Sequence, residues 1–501
     1  MTLAPAVRAR TWSVDYHFSQ WIALGLWGLF VARAHYDITR KLPDADPYLF
    51  PAAAFISGWG LLTIWRLEPG FGARQALWFA VGLAVLIAGT RLESIDFLRR
   101  FKYILLSCGV LLVALTLIFG TNPSGSGPRL WLGYRDLYLQ PSEPLKLLLV
   151  VFLSAYLADK LPSRLRTIHI LYPTVFLSGI AILLLIVQRD LGTASIFTAL
   201  YTIIIFLATG RRRILFITLF LLAVVSIAGY EFVGIVHARM NSWLNPWDDP
   251  SGSSYQIVQA LISIANGGII GRGPGMGSPG FVPVAISDFI YAAIAEETGL
   301  LGTLGLLAII SLIVTRGLRV ALRAPDLFRR ILAAGITAYF GAQTILIVGG
   351  NLRLLPLTGV TLPFVSYGGS SLVTSFIGLL ILLNISNHLD MDPAPLPNPQ
   401  PYLILGAFLI AGLFASALAN GWWSVIRGPD LLTRSDNQRR MIEERYVARG
   451  ALIDSTNSII NTTTGNLGNY SREYKYVDLA PVTGYTDPIY GQAGLEESLD
   501  D

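Results

Sequence analysis

The amino-acid sequence predicts an all-α protein that crosses a membrane many times. Of its 501 residues, 53% are hydrophobic and 14% are charged, whereas soluble globular domains carry about 25% charged residues. The mean hydropathy is +0.56, and apolar runs of about 20 residues, the length that spans a bilayer as a helix, recur along the chain. This composition excludes a soluble enzyme. The net charge of +5 does not indicate nucleic-acid binding, because most basic residues lie in short loops between apolar runs.

Twelve apolar runs are long enough to be membrane-spanning helices. They cover residues 18–35, 48–66, 74–90, 103–120, 142–160, 169–188, 190–209, 213–235, 288–315, 330–350, 370–388 and 401–423. Basic clusters, such as Arg211–Arg213, occur in alternate loops. Cytoplasmic loops are enriched in lysine and arginine, so these loops are expected in the cytoplasm. The segments then expected outside are the N-terminus, 121–141, 236–287, 351–369 and the residues after 423.

A long, glycine-rich polar stretch at 245–302 lies between two apolar blocks, and Asp288 lies towards its far end. Loops of this length in a compact protein are usually functional or disordered. Asp288 directly precedes an apolar run, so a rigid helix would hold its carboxylate near water, where it can act as a general base. The competing interpretation is a helix N-cap, the commoner role of an aspartate in this position. Candidate cations for stabilising a departing anion are Arg239, Arg272 and Arg189.

Three other segments carry polar side chains near the outer face. The segment before the 142–160 run offers Arg129, Trp131 and Lys146 as substrate contacts, although Trp131 alone would equally suit an interfacial anchor. QRDLGTA at 188–194 places Asp190 at a break between two apolar runs, where a charge usually faces a cavity; a turn at the membrane surface is the alternative. The glycine- and proline-rich segment 350–371, which contains Ser366 and Tyr367, indicates either irregular backbone lining a site or a simple turn.

Two further features of the long segment bear on the site. YQIVQALISI at 255–264 is amphipathic and is predicted to lie on the outer membrane surface, with Tyr255, Gln256 and Gln259 facing a sugar. Glu296 and Glu297 lie about 12 Å beyond Asp288 along a helix that rises 1.5 Å per residue. That distance is too great for sharing a proton, so a structural role between neighbouring helices is expected for both.

Five stretches together resemble one protein family. They are NPWDDPSGSSYQIVQALISIANGGIIGRG, SDFIYAAIAEETGLLG, QPSEPLKL, QRDLGTA and GNLRLLPLTGVTLPFVSYGGSSL. In combination and order they are similar to the SEDS family (shape, elongation, division and sporulation), to which RodA and FtsW belong. The resemblance spans roughly residues 48–388.

The resemblance implies a ten-helix core with one extra helix before it and one after it. It implies a glycosyltransferase that polymerises lipid II into peptidoglycan strands for cell shape, elongation or division. The essential aspartate of the family falls on Asp288 and its outer-loop tryptophan on Trp131. Family members usually have Glu and His just before the aspartate, where this chain has Val284 and Ile286. No cofactor is firmly implied; a divalent cation such as Mg²⁺ or Mn²⁺, held partly by Asp190, is an alternative to the arginine clamp.

The polar tail after the last helix is expected to be a small, partly β module outside the membrane. Its SDNQRRMIEERYVARGALIDSTNSII segment resembles the N-terminal pedestal of class B penicillin-binding proteins, with Arg449, Gly450 and Asp454 in an Arg-Gly-x-x-x-Asp pattern. No Ser-x-x-Lys or Lys-Thr-Gly element of a transpeptidase follows it. The implied partner is a class B penicillin-binding protein, and the implied location is the bacterial cytoplasmic membrane with site and tail outside.

These expectations divide the chain into five parts. They are an extra N-terminal helix at 1–47, a SEDS-like core at 48–388, a proline-rich linker at 389–400, an additional helix at 401–423 and a pedestal-like fragment at 424–501. Two other functions stay open on the sequence alone. One is a flippase for the lipid-linked precursor; the other is a non-catalytic scaffold of the cell-wall synthesis complex. The clustering of polar residues at one face, not at the midplane, favours the enzyme.

Overall fold

The computed structural model describes residues 1–9, 11–16, 18–123, 125, 127–134, 137–161, 167–389, 398–434, 437, 439, 448–466, 470–487 and 491–499. Within them lie twelve helices of 18 or more residues: α2 (Ser19–Lys41), α3 (Leu49–Leu67), α4 (Pro69–Gly89), α6 (Lys102–Phe119), α7 (Ser142–Lys160), α8 (Thr167–Val187), α9 (Leu191–Thr209), α10 (Arg212–Phe232), α13 (Ile290–Arg323), α14 (Leu327–Asn351), α15 (Gly369–Ser386) and α16 (Gln400–Gly421). The shorter helices are α1 (Ala4–Ala9), α5 (Asp96–Arg100), α11 (Gly234–Leu244), α12 (Tyr255–Gly267), α17 (Gly428–Leu432), α18 (Ala480–Thr483) and α19 (Leu495–Ser498).

The all-α membrane fold predicted from the sequence is confirmed, with one long helix for each of the twelve apolar runs. Eight of these helices are both long and apolar enough to cross a membrane by length and composition. The largest difference in bounds is at α13, which was expected to end at 315 but continues to Arg323. Its last turns are basic, so hydropathy falls before the helix ends; Arg316 there pairs with Asp46 at 2.7 Å.

Helix α14 forms the centre of the bundle. Nearly all of its residues are buried, and it packs against α7, α9, α13 and α16. Asp326 begins it as an N-cap by accepting a hydrogen bond from the Arg329 backbone N–H, which satisfies one of the free donors of the first turn. Helix α10 is the opposite case, because none of its described residues is buried. An apolar helix so exposed is stable only in contact with lipid or a partner.

The segments expected to share the outer face do meet at one end of the bundle. The Trp243 indole donates to the Arg353 carbonyl at 3.1 Å, and the Gln140 N–H donates to Ser370 Oγ at 2.8 Å. The N-terminus reaches the same end, where Ala4 lies against Gly275. A Cβ added at Gly275 would lie 3.0 Å from the Ala4 Cβ. The opposite end carries the basic loops, where Asp159 binds both Arg99 and Lys102.

Helix α13 is broken at Gly299, whose backbone is non-helical with φ of 67°. The segment after α12 fills the break: the N–H groups of Arg272 and Gly273 donate to the carbonyls of Glu296 and Glu297 at 3.0 and 2.9 Å. A Cβ at position 299 would come within 2.3 Å of the Gly271 nitrogen, so glycine is required there. The break leaves a half-helix, 290–298, that carries Asp288 at its beginning. Such interrupted helices occur in membranes where backbone lines a site.

Helix α12 corrects one expectation. It was predicted to lie on the membrane surface with aliphatic side chains in lipid, but Ile257, Leu261 and most of its other residues are buried. The helix packs between α13 and α17. Its hydrophobic face is therefore covered by protein, and Gln259, expected to face a sugar, is only 1% exposed.

The tail is partly β, as predicted. Strands β3 (Leu452–Ile453), β4 (Ile459–Thr464) and β5 (Ser471–Tyr474) form an antiparallel sheet, and β6 (Tyr485–Asp487) pairs with β7 (Gly491–Ala493). Between α6 and α7, strand β1 (Leu132–Tyr134) pairs with β2 (Leu137–Leu139). Asp454 accepts hydrogen bonds from the Thr456 hydroxyl and from the Thr456 and Ser458 N–H groups, and these bonds lower the pKa of its carboxyl. Most of the proline-rich linker lies outside the described residues.

Candidate active site

Asp288 lies just before the start of the half-helix, and its carboxylate is not committed to capping. The N-cap of α13 is Phe289, and among the described residues no side chain caps this helix start. The carboxylate accepts a hydrogen bond from the Ser287 hydroxyl at 3.1 Å. Partial burial raises the pKa of Asp288 to about 6, against the smaller opposing effects of Ser287 and Arg239. A carboxylate with such a pKa suits proton transfer near neutral pH.

Neighbouring elements hold the backbone around Asp288. Asn351, at the end of α14, donates its side-chain N–H to the Asp288 carbonyl at 2.8 Å. Ser366 donates its hydroxyl to the Ser287 carbonyl at 2.7 Å, and the Tyr367 N–H donates to Ile286 at 2.8 Å. The residues 366 and 367 singled out in the sequence are thus brought to the site, where they hold the chain that presents the aspartate.

The 351–368 loop also approaches the carboxylate directly. A Cβ built at Gly359 would lie 3.4 Å from Asp288 Oδ2, and φ at Gly359 is 69°. The same loop contacts the start of α9, because a Cβ at Gly192 would meet the Thr358 carbonyl at 1.9 Å. Two glycines therefore allow one loop to pass between Asp288 and α9.

A buried polar cluster lies beside this loop. Asp190 caps α9 by accepting the Thr193 N–H at 3.1 Å, while its Oδ2 is buried with no hydrogen-bond partner in the described chain. Burial raises the pKa of Asp190, and Lys146 opposes that rise. Lys146 is 0% exposed and donates to Glu143 at 2.8 Å and to Gln343 at 2.9 Å. These two hydrogen bonds hold the Lys146 ammonium inside the protein. It therefore acts on the site through its positive charge and not through direct contact.

Three arginines supply positive charge near the site or in a neighbouring cavity. Arg239, half-buried on α11, lies close enough to Asp288 to attract its carboxylate. A cavity of about 400 Å³ opens one turn away along α11, at Ile235, and contains the exposed side chains of Arg129 and Arg189. Arg189 adopts a left-handed φ of 62°, which is unusual for a residue with a side chain. Two arginines in one cavity suit an anion such as a phosphate.

Other residues singled out in the sequence have different positions. Arg272 is exposed and binds the Asn266 side chain at 2.6 Å, away from Asp288. Gln256 is exposed on α12, and the Tyr255 hydroxyl donates to the Phe281 carbonyl at 3.4 Å. Trp131 exchanges backbone hydrogen bonds with Thr121 and is half-buried in the loop between α6 and α7.

Glu296 and Glu297 both bind arginines inside the protein. Glu297 pairs with Arg66 of α3 at 2.7 Å and accepts the Gly275 N–H at 3.0 Å. Glu296 pairs with Arg439 at 2.8 Å. Each carboxylate thus joins the half-helix to another part of the chain and is engaged there.

No group of three or more His, Cys, Asp or Glu side chains in the described part of the chain is arranged to hold a metal ion. Asp190 Oδ2 is an available oxygen, but Lys146 lies within its electrostatic range. The described side chains therefore do not by themselves form a divalent-cation site, and the chemistry below is derived from the protein's own groups.

Two important residues were not singled out from the sequence. Asn351 is a buried amide at the end of an apolar helix, and such intramembrane polar residues are usually functional, so that signal was present. Arg439 gave no local signal, because its partner Glu296 is 143 residues away in the chain.

Comparison with known proteins agrees with this architecture. The family profile described as "Cell cycle protein", for FtsW, RodA and SpoVE, matches residues 67–391. Peptidoglycan glycosyltransferase RodA of Mycobacterium bovis is 36% identical over 378 residues, covering 71% of this chain and 80% of that protein. Stage V sporulation protein E of Bacillus subtilis is 34% identical over 326 residues, covering 64% of this chain and 87% of that protein.

Solved structures give the same result. One, described as structural coordination of polymerization and crosslinking by a peptidoglycan synthase complex, aligns with a TM-score of 0.59 and 29% identity, over 69% of this chain and 99% of that chain. Rod shape determining protein RodA of Thermus thermophilus aligns with a TM-score of 0.53 and 26% identity, over 70% of this chain and 98% of that chain. With its many membrane helices and a profile match over more than half its length, the chain belongs to the FtsW, RodA and SpoVE family of cell cycle proteins.

Proposed function

We propose that this protein is a peptidoglycan glycosyltransferase that polymerises lipid II on the outer face of the cytoplasmic membrane, with Asp288 as the general base. The observation that carries the proposal is the Asp288 carboxylate, which is held by its backbone, lies within electrostatic range of Arg239 and has a pKa raised to about 6. Membership of a family whose relatives include peptidoglycan glycosyltransferases supports the reaction class.

The chemistry follows from these groups. A hydroxyl of the acceptor sugar attacks the anomeric carbon of the donor, the new glycosidic C–O bond forms, and the bond to the polyprenyl pyrophosphate breaks. Asp288 takes the hydroxyl proton as the attack develops, which typically contributes about 10²–10⁴-fold in rate. The pyrophosphate leaves with the electron pair of the broken bond.

The arginine cavity provides the second requirement, a site for the departing anion. Arg129 and Arg189 lie in one cavity of about 400 Å³, and their guanidinium groups can bind phosphate oxygens in pairs. Arg239 lies within electrostatic range of the Asp288 carboxylate and one helical turn along α11 from Ile235, which lines the cavity. Cations placed where negative charge develops stabilise the transition state, so the proposed donor lies with its pyrophosphate towards Arg129 and Arg189.

The partner in this proposal is a class B penicillin-binding protein, supported by the synthase-complex neighbour and by the pedestal-like tail. The decisive experiment is glycan polymerisation by the purified full chain on fluorescent lipid II, with and without such a partner. Strands longer than one disaccharide are expected. Transfer of lipid II across a vesicle bilayer without polymerisation would instead support the flippase, and neither activity would support the scaffold.

A further inference from the structure

Arg439 lies outside the family-matched region 67–391 yet reaches a buried carboxylate inside it. Its Nε donates to Glu296 Oε1 at 3.0 Å and its Nη2 donates to Oε2 at 2.8 Å. The Arg439 and Glu296 residues are 4% and 0% exposed. A bidentate pair of this kind is the strongest geometry in which arginine binds a carboxylate. Arg439 is thereby held in the protein interior.

Glu296 in turn organises the chain that precedes Asp288. Its Oε1 also accepts the Ser278 N–H at 2.7 Å and the Asn266 side-chain N–H at 2.9 Å. Its Oε2 accepts the Ser263 hydroxyl at 2.6 Å. These three donors are neutral, so Arg439 supplies the cation that balances the buried charge. Removing one partner of a buried ion pair is strongly destabilising, because it leaves the other charge uncompensated.

Arg439 also contacts the chain that precedes Asp288. Its guanidinium lies over the Phe281 ring, 5.8 Å from the centroid, and its Nη1 donates to Gln259 at 3.2 Å. Phe281 is seven residues before Asp288 in the sequence. Glu296 lies on the half-helix that begins directly after Asp288. Arg439 therefore holds the chain on both sides of the aspartate.

We propose that Arg439 is a positioning residue for the reaction: its pairing with Glu296 fixes segment 278–288 and thereby the direction of the Asp288 carboxylate. This inference rests on the proposed function. Arg439 acts through Glu296 and Phe281 and does not touch the substrate. The residue comes from the extension beyond the family core, so this chain carries within itself a support for its own active site.

The test compares Arg439→Gln with Arg427→Gln in the purified full-length protein. Arg427 lies in the same segment but pairs with Asp430 at 3.5 Å where both side chains are exposed, and such pairs contribute little. Arg439→Gln is expected to lower kcat for lipid II polymerisation about 10- to 100-fold with little change in KM, since misplacement of a catalytic group by 1 Å can cost about 10²-fold. Arg427→Gln is expected to keep the parental kcat.

A double variant separates positioning from general loss of folding. In Arg439→Gln/Glu296→Gln the pairing is lost but no buried charge is left uncompensated, so the folding defect of a lone buried carboxylate is absent. We expect the melting temperature to recover towards the parental value while kcat stays as low as in Arg439→Gln, because the pairing that fixes segment 278–288 is still missing. A parental kcat in Arg439→Gln or in the double variant overturns the inference.

Hydrogen exchange gives a readout that does not depend on activity. The amides of 278–288 should exchange faster in Arg439→Gln than in Arg427→Gln, and equal protection in the two variants would overturn the inference. Asp288→Asn, which removes the proposed general base, serves as the control for loss of the reaction itself. If the parental protein does not polymerise lipid II, the proposed function fails, while the exchange comparison still decides whether Arg439 holds the segment.

Discussion

Asn351 binds Asp288 through the backbone carbonyl and not through the carboxylate, with its side-chain N–H 2.8 Å from that oxygen. The same amide accepts the Ala292 N–H at 3.3 Å, so it ties the start of the half-helix to α14. This arrangement fixes the position of Asp288 while leaving its two carboxylate oxygens to Ser287 and to a substrate. It is the geometry expected of a group that must accept a proton.

Asp288→Asn should abolish polymerisation without unfolding the protein. The amide keeps the size of the side chain but cannot take the proton, so the rate should fall about 10²–10⁴-fold. Burial holds the Asp288 pKa above its ordinary value, so ionisation of this carboxyl disfavours the folded state as pH rises through the window from 3.8 to about 6. The variant should therefore melt no lower than the parent at pH 7.5. Asp248→Asn, an exposed aspartate in the same loop, is the matched control, and a parental rate in Asp288→Asn would refute the assignment.

The pH dependence of kcat/KM should report the same group. A general base works only when deprotonated, and the Asp288 pKa is about 6. Activity should be near its plateau at pH 7.5 and should fall about tenfold per unit well below pH 6. Initial rates on lipid II between pH 4.5 and 8, with folding monitored at each pH, test this. A profile that is flat down to pH 4.5 would contradict a base with this pKa.

Arg129→Gln/Arg189→Gln should weaken donor binding more than it slows the chemical step. Charge-assisted hydrogen bonds contribute about 1.5–3 kcal/mol each when buried, and these two arginines are exposed, so we expect KM to rise about tenfold. Arg213→Gln, in an exposed cluster at the other end of α10, is the control and should leave KM unchanged. The proposed anion site would be wrong if the double variant kept the parental KM.

Gly299→Ala should strongly destabilise the membrane domain, whereas Gly305→Ala should not. At position 299 φ is 67° and a Cβ would lie 2.3 Å from the Gly271 nitrogen, so a loss of more than about 2 kcal/mol is expected. Position 305 lies on the same helix with nothing within 4 Å of a Cβ, and alanine there can stabilise by up to about 1 kcal/mol. Thermal unfolding in detergent, followed by tryptophan fluorescence, compares the two. Equal melting temperatures would show that the break does not need glycine.

The long loop and the tail should lie outside the cytoplasmic membrane. Cysteine placed at Ser253, which is exposed, should react with a membrane-impermeant maleimide in intact cells or spheroplasts. The native Cys108 is exposed on α6 and must first be replaced by serine. Labelling that appears only after permeabilisation would reverse the orientation of the whole chain.

The fold was largely predictable because bilayer thickness fixes the length of each apolar helix. The position of Asp288 beside a helix start was also predictable, because it follows from chain order alone. Helix α12 was misplaced for a physical reason: an amphipathic pattern shows that one face is apolar but not whether lipid or protein covers it. The pairing of Arg439 with Glu296 could not be predicted from the sequence. It depends on the tertiary fold, which brings together two residues that are 143 positions apart in the chain.

The break in α13 also determines which part of the 245–287 loop can move. On one side of Gly299 the carbonyls of 296 and 297 accept amides from the loop, and on the other the Leu300 and Leu301 amides donate to Gly268 and Ile269 at 2.9 and 3.0 Å. The loop is therefore hydrogen-bonded to α13 on both sides of Gly299. Moving this part of the loop away from α13 would break all four hydrogen bonds together. Residues 248–253 precede α12 and make no such hydrogen bonds to α13 within the described chain, so this part of the loop can move while all four bonds stay intact.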